Sequence, residues 1–500
     1  MPELTRTEYN FIFLLRAALA DRVVEAREIV CEDGGYAVEA REIVCEDGDH
    51  AVEAREIVCE GDDHAVEARE IVCEDGGHAV EAREIACEDG GHAVDAGEIV
   101  CEDGDHAVEA REIVCEGDDR VVDAGECARE FDARGILRLA YNHKLWHMIL
   151  SAMPRELVPD GIDRRSELFR RVAAQVTVTS SFIGLWSAMA DAGFHPIVVK
   201  GIICRTLYPR PELRPSSDED LYIPAAEFED CCLFLQSRGL VPDKTPFSDY
   251  GEVGFRGEDG IFIELHRDLF EGDSFSSLPE FFSFETLTPE SYPTHYGVPV
   301  TSMPPHDHFL YLLLHAYKHF VHSGFGIRQV CDIGIWAREY GERIDWTRLS
   351  EQCDRAGIRR FAAAVLGIAR HYLGISFECP EDFDCDGEFC APMLSDILGG
   401  GIYGSADLDR VHSSTMTLNA VHSSGSKGKP SILRSVFPSR RSLEGRYPYL
   451  KKHPVLLPAA WCARIFSYAK RSSAGETSAT KSISIGRERI ELLRYYGLIE

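Results

Sequence analysis

Residues 195–223, HPIVVKGIICRTLYPRPELRPSSDEDLYI, contain the pattern from which the core of this 500-residue chain can be predicted. The apolar, β-branched run at 197–199 predicts a buried strand that ends at Lys200 and Gly201. A short helix or turn follows, and then a strand-like segment in which Asp218 and Asp220 are two residues apart. Side chains two apart on a strand point to the same face, so these two carboxylates repel each other unless a cation lies between them. Mg²⁺ fits this pattern, because hard cations take oxygen ligands.

A third carboxylate occurs in the segment GIFIELHRDLF at residues 260–270. Alternation along this predicted strand places Glu264 and His266 on one face. Glu264 could therefore complete an acidic trio with Asp218 and Asp220. Taken alone, an Asp-x-Asp pair more often marks a solvated strand end or turn, so the spacing leaves the structural and the metal-binding interpretations open.

The run between Lys200 and Leu221 resembles the signature of the uncharacterised nucleotidyltransferase family, within the DNA polymerase β-like nucleotidyltransferase superfamily. The family pattern is Leu-Lys-Gly, a variable helix, Tyr-Pro-x-Pro, then Arg-Pro and Asp-x-Asp-Leu. The residues that match it are Lys200, Gly201, Tyr208, Pro209, Pro211, Arg214, Pro215, Asp218, Asp220 and Leu221. The resemblance continues through the segments at 263–270, 308–320, 328–337 and 446–465.

The resemblance implies an α+β fold with a small mixed β-sheet nucleotidyltransferase core at residues 191–300. N-terminal helical segments at 1–22 and 129–190 and a C-terminal helical region at 301–500 flank this core. A flexible loop is expected near 380–430, and a long, low-complexity repeat insert occupies 23–128.

The resemblance also implies a Mg²⁺-dependent enzyme that transfers a nucleoside monophosphate from an NTP to an acceptor hydroxyl and releases pyrophosphate. ATP is the first expectation for the NTP, and the acceptor is a small molecule, a peptide or an RNA. The alternative, from a different class, is a catalytically inactive nucleotide-binding protein whose acidic repeat recruits a partner.

Individual roles follow from the same resemblance. Two Mg²⁺ ions are expected on the catalytic carboxylates Asp218, Asp220 and Glu264. Nucleotide contacts are expected from Lys200, Gly201, Arg214, His266 and Arg328. Two features depart from the wider superfamily: Lys200-Gly201 replaces its usual Gly-Ser, and Glu264 stands where many relatives have Asp. For two of the arginines a structural role is the alternative, because Arg214 could brace a loop and Arg328 could pair with Asp332 one helical turn away.

A repeat dominates the first quarter of the chain, where the unit AVEAREIVCEDGGH recurs every 14 residues from Val23 to Arg120. It carries most of the net charge of −32, so a basic pocket elsewhere stays possible despite the acidity. The near identity of the copies favours a recently expanded, tolerated insert that is partly disordered or loosely helical. Metal binding through the repeated Cys-x4-His spacing and a protein-binding array are the alternatives.

The segments on either side of the repeat both have the pattern of amphipathic helices that pack together across it. No run approaches the uninterrupted apolar length of a membrane span, so no membrane contact and a cytoplasmic location are expected. In such a compartment the 17 cysteines are expected to be reduced thiols.

Three further groups have weaker patterns. His315 and His319 are one helical turn apart, which can bind zinc, but a cleft wall or a domain interface fits better. The spacing of Cys379, Cys385 and Cys390 matches no strong zinc pattern. The basic, aromatic stretch at 446–454 fits a docking segment better than a contact with a polyanionic acceptor.

Overall fold

The computed structural model describes most of the chain outside the repeat. The described ranges are 4–23, 132–216, 218–270, 281–282, 286–322, 324–402, 449–473 and 479–499, with short strands inside the repeat and isolated residues between 410 and 447. The α-helices are α1 (Arg6–Leu19), α2 (Ala133–Asn142), α3 (Trp146–Ala152), α4 (Arg164–Asp191), α5 (Ile202–Arg205), α6 (Phe228–Ser237), α7 (Pro305–His322), α8 (Ile327–Tyr340), α9 (Trp346–Arg355), α10 (Arg359–Gly367), α11 (Gly387–Gly400), α12 (Tyr449–Lys452), α13 (Leu457–Ser473) and α14 (Ala479–Tyr495).

One seven-stranded mixed sheet lies among these helices, so the fold is α+β, as expected. Its strands are β1 (Ile197–Val198), β2 (Glu219–Tyr222), β3 (Val241–Pro242), β4 (Glu252–Arg256), β5 (Phe262–His266), β6 (Glu290–Tyr292) and β7 (Val300–Ser302). They lie in the order β3-β4-β5-β2-β1-β7-β6. The three predicted strand segments are therefore neighbours at the centre of the sheet.

Pairing within the sheet fixes which side chains meet. Strands β2 and β5 are parallel, and Asp220 lies opposite Glu264. Strand β1 runs antiparallel to β2 on its other side, with Val198 opposite Leu221. The chain therefore leaves β1 at Lys200 close to the middle of β2.

The helices on the two sides of the repeat pack together, as the sequence predicted. Helix α1 starts with a capping box between Thr5 and Glu8 and lies against α2 and α3. Phe11 and Leu14 of α1 and Ile149 of α3 are completely buried in one hydrophobic core. Burial of this apolar face stabilises the short helices more than their intrinsic propensity does.

Helix α4 is the one described helix that is long and apolar enough to cross a membrane by length and composition alone. Four of its apolar side chains are buried in the protein core: Phe182, Ile183, Trp186 and Met189. Of the apolar window in this helix 28% is buried, so packing against the core accounts for part of its apolarity.

The C-terminal region is helical, and α7 and α8 form its centre. The predicted flexible loop near 380–430 is wrong for its first part, where α11 spans Gly387–Gly400 and buries Met393, Leu394 and Ile397. Asp396 of α11 accepts hydrogen bonds from Arg410 and Arg489, so α11 is tied to α14. The stretch at 446–454 includes α12, and its Leu450 packs with Leu443 and Ala460 in a small separate cluster.

Inside the repeat, the described segments are β-strands where we expected helix-compatible sequence. The longest, Tyr36–Cys45 and His64–Cys73, pair in parallel with Tyr36 opposite His64. Partners are thus two repeat units apart, and identical residues face each other along most of the pair. The β-branched Ile and Val of each unit favour a strand. An interpretation based on the helix-forming residues alone underestimates this strand propensity.

Candidate active site

Three ligand-type side chains converge on the paired strands β2 and β5. One ligand atom from each of Asp220, Glu264 and His266 lies within 4.8 Å of the other two. His266 Nε2 is 3.3 Å from Asp220 Oδ1 and 3.9 Å from Glu264 Oε2. The cause is local, because residues 264 and 266 share one face of β5 and Asp220 lies opposite Glu264.

Lys200 contributes a positive charge to this cluster. Its Nζ lies 3.1 Å from Asp220 Oδ1 and donates to Nε2 of His315, also at 3.1 Å. Burial alone would raise the pKa of Asp220, but Lys200 and His266 outweigh it and hold that pKa well below its usual range. Burial, and then the charge of Lys200, lowers the pKa of His315, so its ring is neutral and can accept this hydrogen bond.

The turn at Gly201 places Lys200 over the strands. Gly201 has φ +53°, and a Cβ built there would lie 1.9 Å from Glu219 Oε2. The same oxygen accepts a 2.7 Å hydrogen bond from the backbone N–H of Ile202. Arg205 pairs with the other carboxylate oxygen at 2.9 Å. Only glycine therefore fits between the lysine and the Glu219 carboxylate.

The surroundings of Glu264 change the pKa of its carboxyl group. Burial, then the charges of Asp220 and Asp218, raise its pKa to about 8. Asp218 is half-buried and lies one residue before β2. It is not part of the tight trio, but its charge acts on Glu264. Carboxylates that repel one another in a partly buried site fit a divalent cation, which would relieve that repulsion.

Two arginines that are predicted to contact nucleotide also have partners within the chain. Arg214 binds Asp332 through both Nε and Nη2, at 2.9 and 2.6 Å, and Tyr208 donates to the same carboxylate. Arg214 thus takes the loop-bracing role. The predicted Arg328–Asp332 pair is wrong, because Asp332 faces Arg214 while Arg328 donates to the carbonyl oxygen of Pro215 at 2.5 Å.

The remaining metal candidates do not assemble sites in the described part of the chain. The rings of His315 and His319 approach each other, with Nε2 atoms 2.9 Å apart, but they face Lys200 and no third ligand joins them. Cys385 and Cys390 have Sγ atoms 3.2 Å apart, and Cys379 does not complete a metal group with them. The cysteines outside the repeat whose side chains the structure describes are free thiols.

Sequence reasoning missed several residues around the site. Glu252 on β4 lies opposite His266 and approaches its Nδ1 to 3.7 Å. Glu219 and Arg205 form the buried pair under the Gly201 turn. His266 was expected only as a nucleotide contact, whereas it adjoins the carboxylates directly. The signal for Glu219 was available, because the middle residue of Asp-x-Asp must point to the opposite face of the strand.

Paired carboxylates on adjacent parallel strands, beside a lysine-glycine turn, fit the nucleotidyltransferase class of proteins. The family described as uncharacterised nucleotidyltransferase matches residues 125–374, half of the chain, and the chain belongs to that family. Among solved structures, it is similar to an antigenic nucleotidyltransferase-like protein from Paracoccidioides brasiliensis. Their identity is 14%, over 41% of this chain and 94% of that one, with a TM-score of 0.25. No curated protein matches the chain.

Proposed function

We propose that this protein transfers a nucleoside monophosphate from an NTP, with ATP as the first candidate, to an acceptor hydroxyl and releases pyrophosphate. The observation that carries the proposal is the placement of Asp220 opposite Glu264, with Lys200 Nζ 3.1 Å from the Asp220 carboxylate. Family membership supports the class of reaction. The acceptor is a small molecule, a peptide or an RNA, and a cytoplasmic location and a partner for the repeat belong to the same proposal.

The donor set fits a divalent cation. Asp220 and Glu264, with Asp218 beside them, would hold Mg²⁺, for which two ions are expected from the resemblance. When bound, Mg²⁺ supplies positive charge to a triphosphate and lowers the pKa of a hydroxyl nucleophile. His266 lies on the same face of β5 as Glu264, and its Nε2 is 3.3 Å from Asp220 Oδ1, so it orients the Asp220 carboxylate.

Lys200 and Gly201 have separable roles in nucleotide binding. Gly201 lets the backbone turn tightly over Glu219, which directs the Lys200 ammonium toward the carboxylates. Neutral His315 accepts a hydrogen bond from that ammonium and fixes its position without adding charge. Lys200 is thus the cation placed to contact a phosphate oxygen at this site.

The test uses the purified full chain with Mg²⁺ and each α-labelled NTP, with and without cell extract. We expect label transfer and pyrophosphate release with at least one NTP. Asp220→Asn and Glu264→Gln should each reduce both by about 100-fold or more, since each removes a group that acts on the transition state.

Glu290→Gln is the matched control, because this carboxylate lies on the edge strand β6 and pairs with Arg343. It should leave the rate unchanged. Circular dichroism would verify that each variant is folded. Should wild type show no transfer with any NTP while still binding nucleotide, the transfer proposal would fail in favour of the inactive nucleotide-binding alternative.

A further inference from the structure

Four arginines lie in or near the segment 211–216, on the side of β2 away from Asp220. They come from different elements: Arg171 from α4, Arg205 from α5, Arg214 from the segment itself and Arg328 from α8. Arg205 pairs with Glu219. Glu219 and Asp220 are neighbours on β2, so their side chains point to opposite faces of the strand. The arginine cluster around Glu219 therefore lies on the other face from the trio of Asp220, Glu264 and His266.

Hydrogen bonds connect the members of the arginine cluster. Arg171 Nη2 donates to Gln175 Oε1 at 2.5 Å, and Gln175 Nε2 lies 3.2 Å from Thr179 Oγ1. Arg205 Nη2 donates to the same hydroxyl oxygen at 3.2 Å. Arg328 donates to the carbonyl of Pro215, one residue after Arg214. The guanidinium groups are therefore held in place by the surrounding fold.

Positive charge exceeds negative charge in this cluster. Glu219 and Asp332 pair with Arg205 and Arg214, but no carboxylate within the described ranges pairs with Arg171 or Arg328. Burial, and then the charges of Arg205, Arg328 and Arg214, lower the pKa of Arg171 to about 10.

Unbonded donors accompany the excess charge. Arg205 and Arg214 are 2% and 3% exposed, yet each has a buried Nη1 with no partner among the residues that the structure describes. The Nε atoms of Arg171 and Arg328 are also buried and have no hydrogen-bond partner among the described residues. Unpaired buried donors on like charges are costly unless an anion binds between them.

We propose that the arginine cluster is a binding site for a phosphoryl group. Two of its four positive charges lack a carboxylate partner among the described residues, and a phosphate dianion supplies two negative charges. Its several oxygens can accept hydrogen bonds from guanidinium forks at once. The phosphoryl group comes either from the nucleotide or from a phosphate carried by the acceptor.

The test compares Arg171→Gln/Arg328→Gln with Arg170→Gln in the full-length protein. Arg170 is the control because it precedes Arg171 on α4, its side chain is 69% exposed and it pairs with Glu167. Inorganic phosphate and pyrophosphate are titrated calorimetrically without Mg²⁺, and thermal unfolding is measured with and without phosphate.

Wild type and Arg170→Gln should bind these anions and unfold at a higher temperature in phosphate. The double variant should bind about tenfold or more weakly, the order expected for lost charge-assisted hydrogen bonds. It should be at least as stable as wild type without phosphate, because like charges have been removed. Anion affinity equal to that of the control, or a destabilisation independent of phosphate, would overturn the proposal.

Titration of phosphate into ATP-saturated wild type, again without Mg²⁺, separates the two sources. Loss of phosphate binding assigns the cluster to the nucleotide, and retained binding assigns it to a phosphorylated acceptor. Phosphate binding is measured independently of catalysis. If nucleotidyl transfer is not observed but phosphate still binds, only the proposed function fails.

Discussion

Gly201 controls how β1 delivers Lys200 to the carboxylates. With φ +53°, an alanine there would be strained and its Cβ would collide with the Glu219 carboxylate. We expect Gly201→Ala to lower the free energy of unfolding by roughly 1–3 kcal/mol, the cost of a residue in a sparsely populated backbone region. Urea denaturation measures this, and nucleotide binding should weaken because Lys200 shifts.

Gly184 provides the matched control for Gly201. It lies in α4, and an added Cβ would meet nothing within 4 Å. Gly184→Ala should therefore stabilise the protein by roughly 0.5–1 kcal/mol, since alanine loses less backbone entropy in a helix. If both substitutions had the same effect, the steric explanation for Gly201 would be wrong.

Glu264 makes stability depend on pH. Its pKa is raised to about 8 by burial and by Asp220 and Asp218. Between its ordinary value and about 8, the folded protein holds a proton that the unfolded chain has lost. The free energy of unfolding in EDTA should therefore fall as pH rises through this window.

Glu264→Gln tests this dependence, because glutamine cannot ionise. Its unfolding free energy should match that of wild type near pH 5 and exceed it above about pH 8, in urea titrations at each pH. Mg²⁺ should remove the difference at high pH by stabilising the wild-type carboxylate. Parallel pH profiles of the two proteins in EDTA would show that Glu264 does not hold the proton.

Single residues of the site could be predicted to the extent that one strand determines them. The same-face rule along one strand placed Glu264 with His266, and the lysine-glycine ending of an apolar run identified Lys200. The 3.7 Å approach of Glu252 to His266 and the Lys200–His315 hydrogen bond depend on sheet order and helix docking. No short-range pattern contains that information.

At the scale of elements, the Arg214–Asp332 pair connects α8 to the segment before β2. Both side chains are buried, and both oxygens of Asp332 accept hydrogen bonds from Arg214. Asp332→Asn would leave a buried guanidinium without a counter-charge. We expect a loss of roughly 3–5 kcal/mol in unfolding free energy, measured by urea denaturation.

The double variant Arg214→Met/Asp332→Asn separates loss of the pair from loss of one partner. Methionine removes the unpaired charge and keeps apolar volume, so much of the stability should return. The hydroxyl of Tyr208 keeps an oxygen acceptor at position 332 in both variants, because the side-chain amide of asparagine also has a carbonyl oxygen. A double variant that is less stable than Asp332→Asn would mean that Arg214 stabilises the segment without its partner.

Elements were predictable where one strong periodicity governs a segment. The apolar run of β1 and the three- and four-residue apolar spacing in α1 and α2 identified those elements. Helix α11 was not predicted because the Gly, Pro and Cys residues around 385–401 are typical of loops. Met393, Leu394 and Ile397 nevertheless bury one face of this helix. Repeat strands were missed because pairing between copies is a long-range property.

For the whole molecule, the repeat separates segments that nevertheless fold together. Thr7 of α1 hydrogen-bonds to Asp132, at the start of α2. The end of α1 therefore lies about one helix length, roughly 20 Å, from the point where the chain must resume. Eleven residues, the number from 121 to 131, can span up to about 35 Å, so the connection does not require the repeat.

Deletion of residues 23–120 should therefore leave a folded protein. The core that includes Phe11, Leu14 and Ile149 contains no described residue of the repeat, and a shorter connection lowers the entropy cost of closing it. We expect soluble expression, a thermal midpoint within a few degrees of wild type by circular dichroism, and Mg²⁺ and phosphate affinities that match those of wild type at high ionic strength. Since the deletion also removes most of the negative charge, binding of anionic ligands should depend less on ionic strength in the shortened chain. Loss of soluble expression would show instead that the strands of the repeat support the fold.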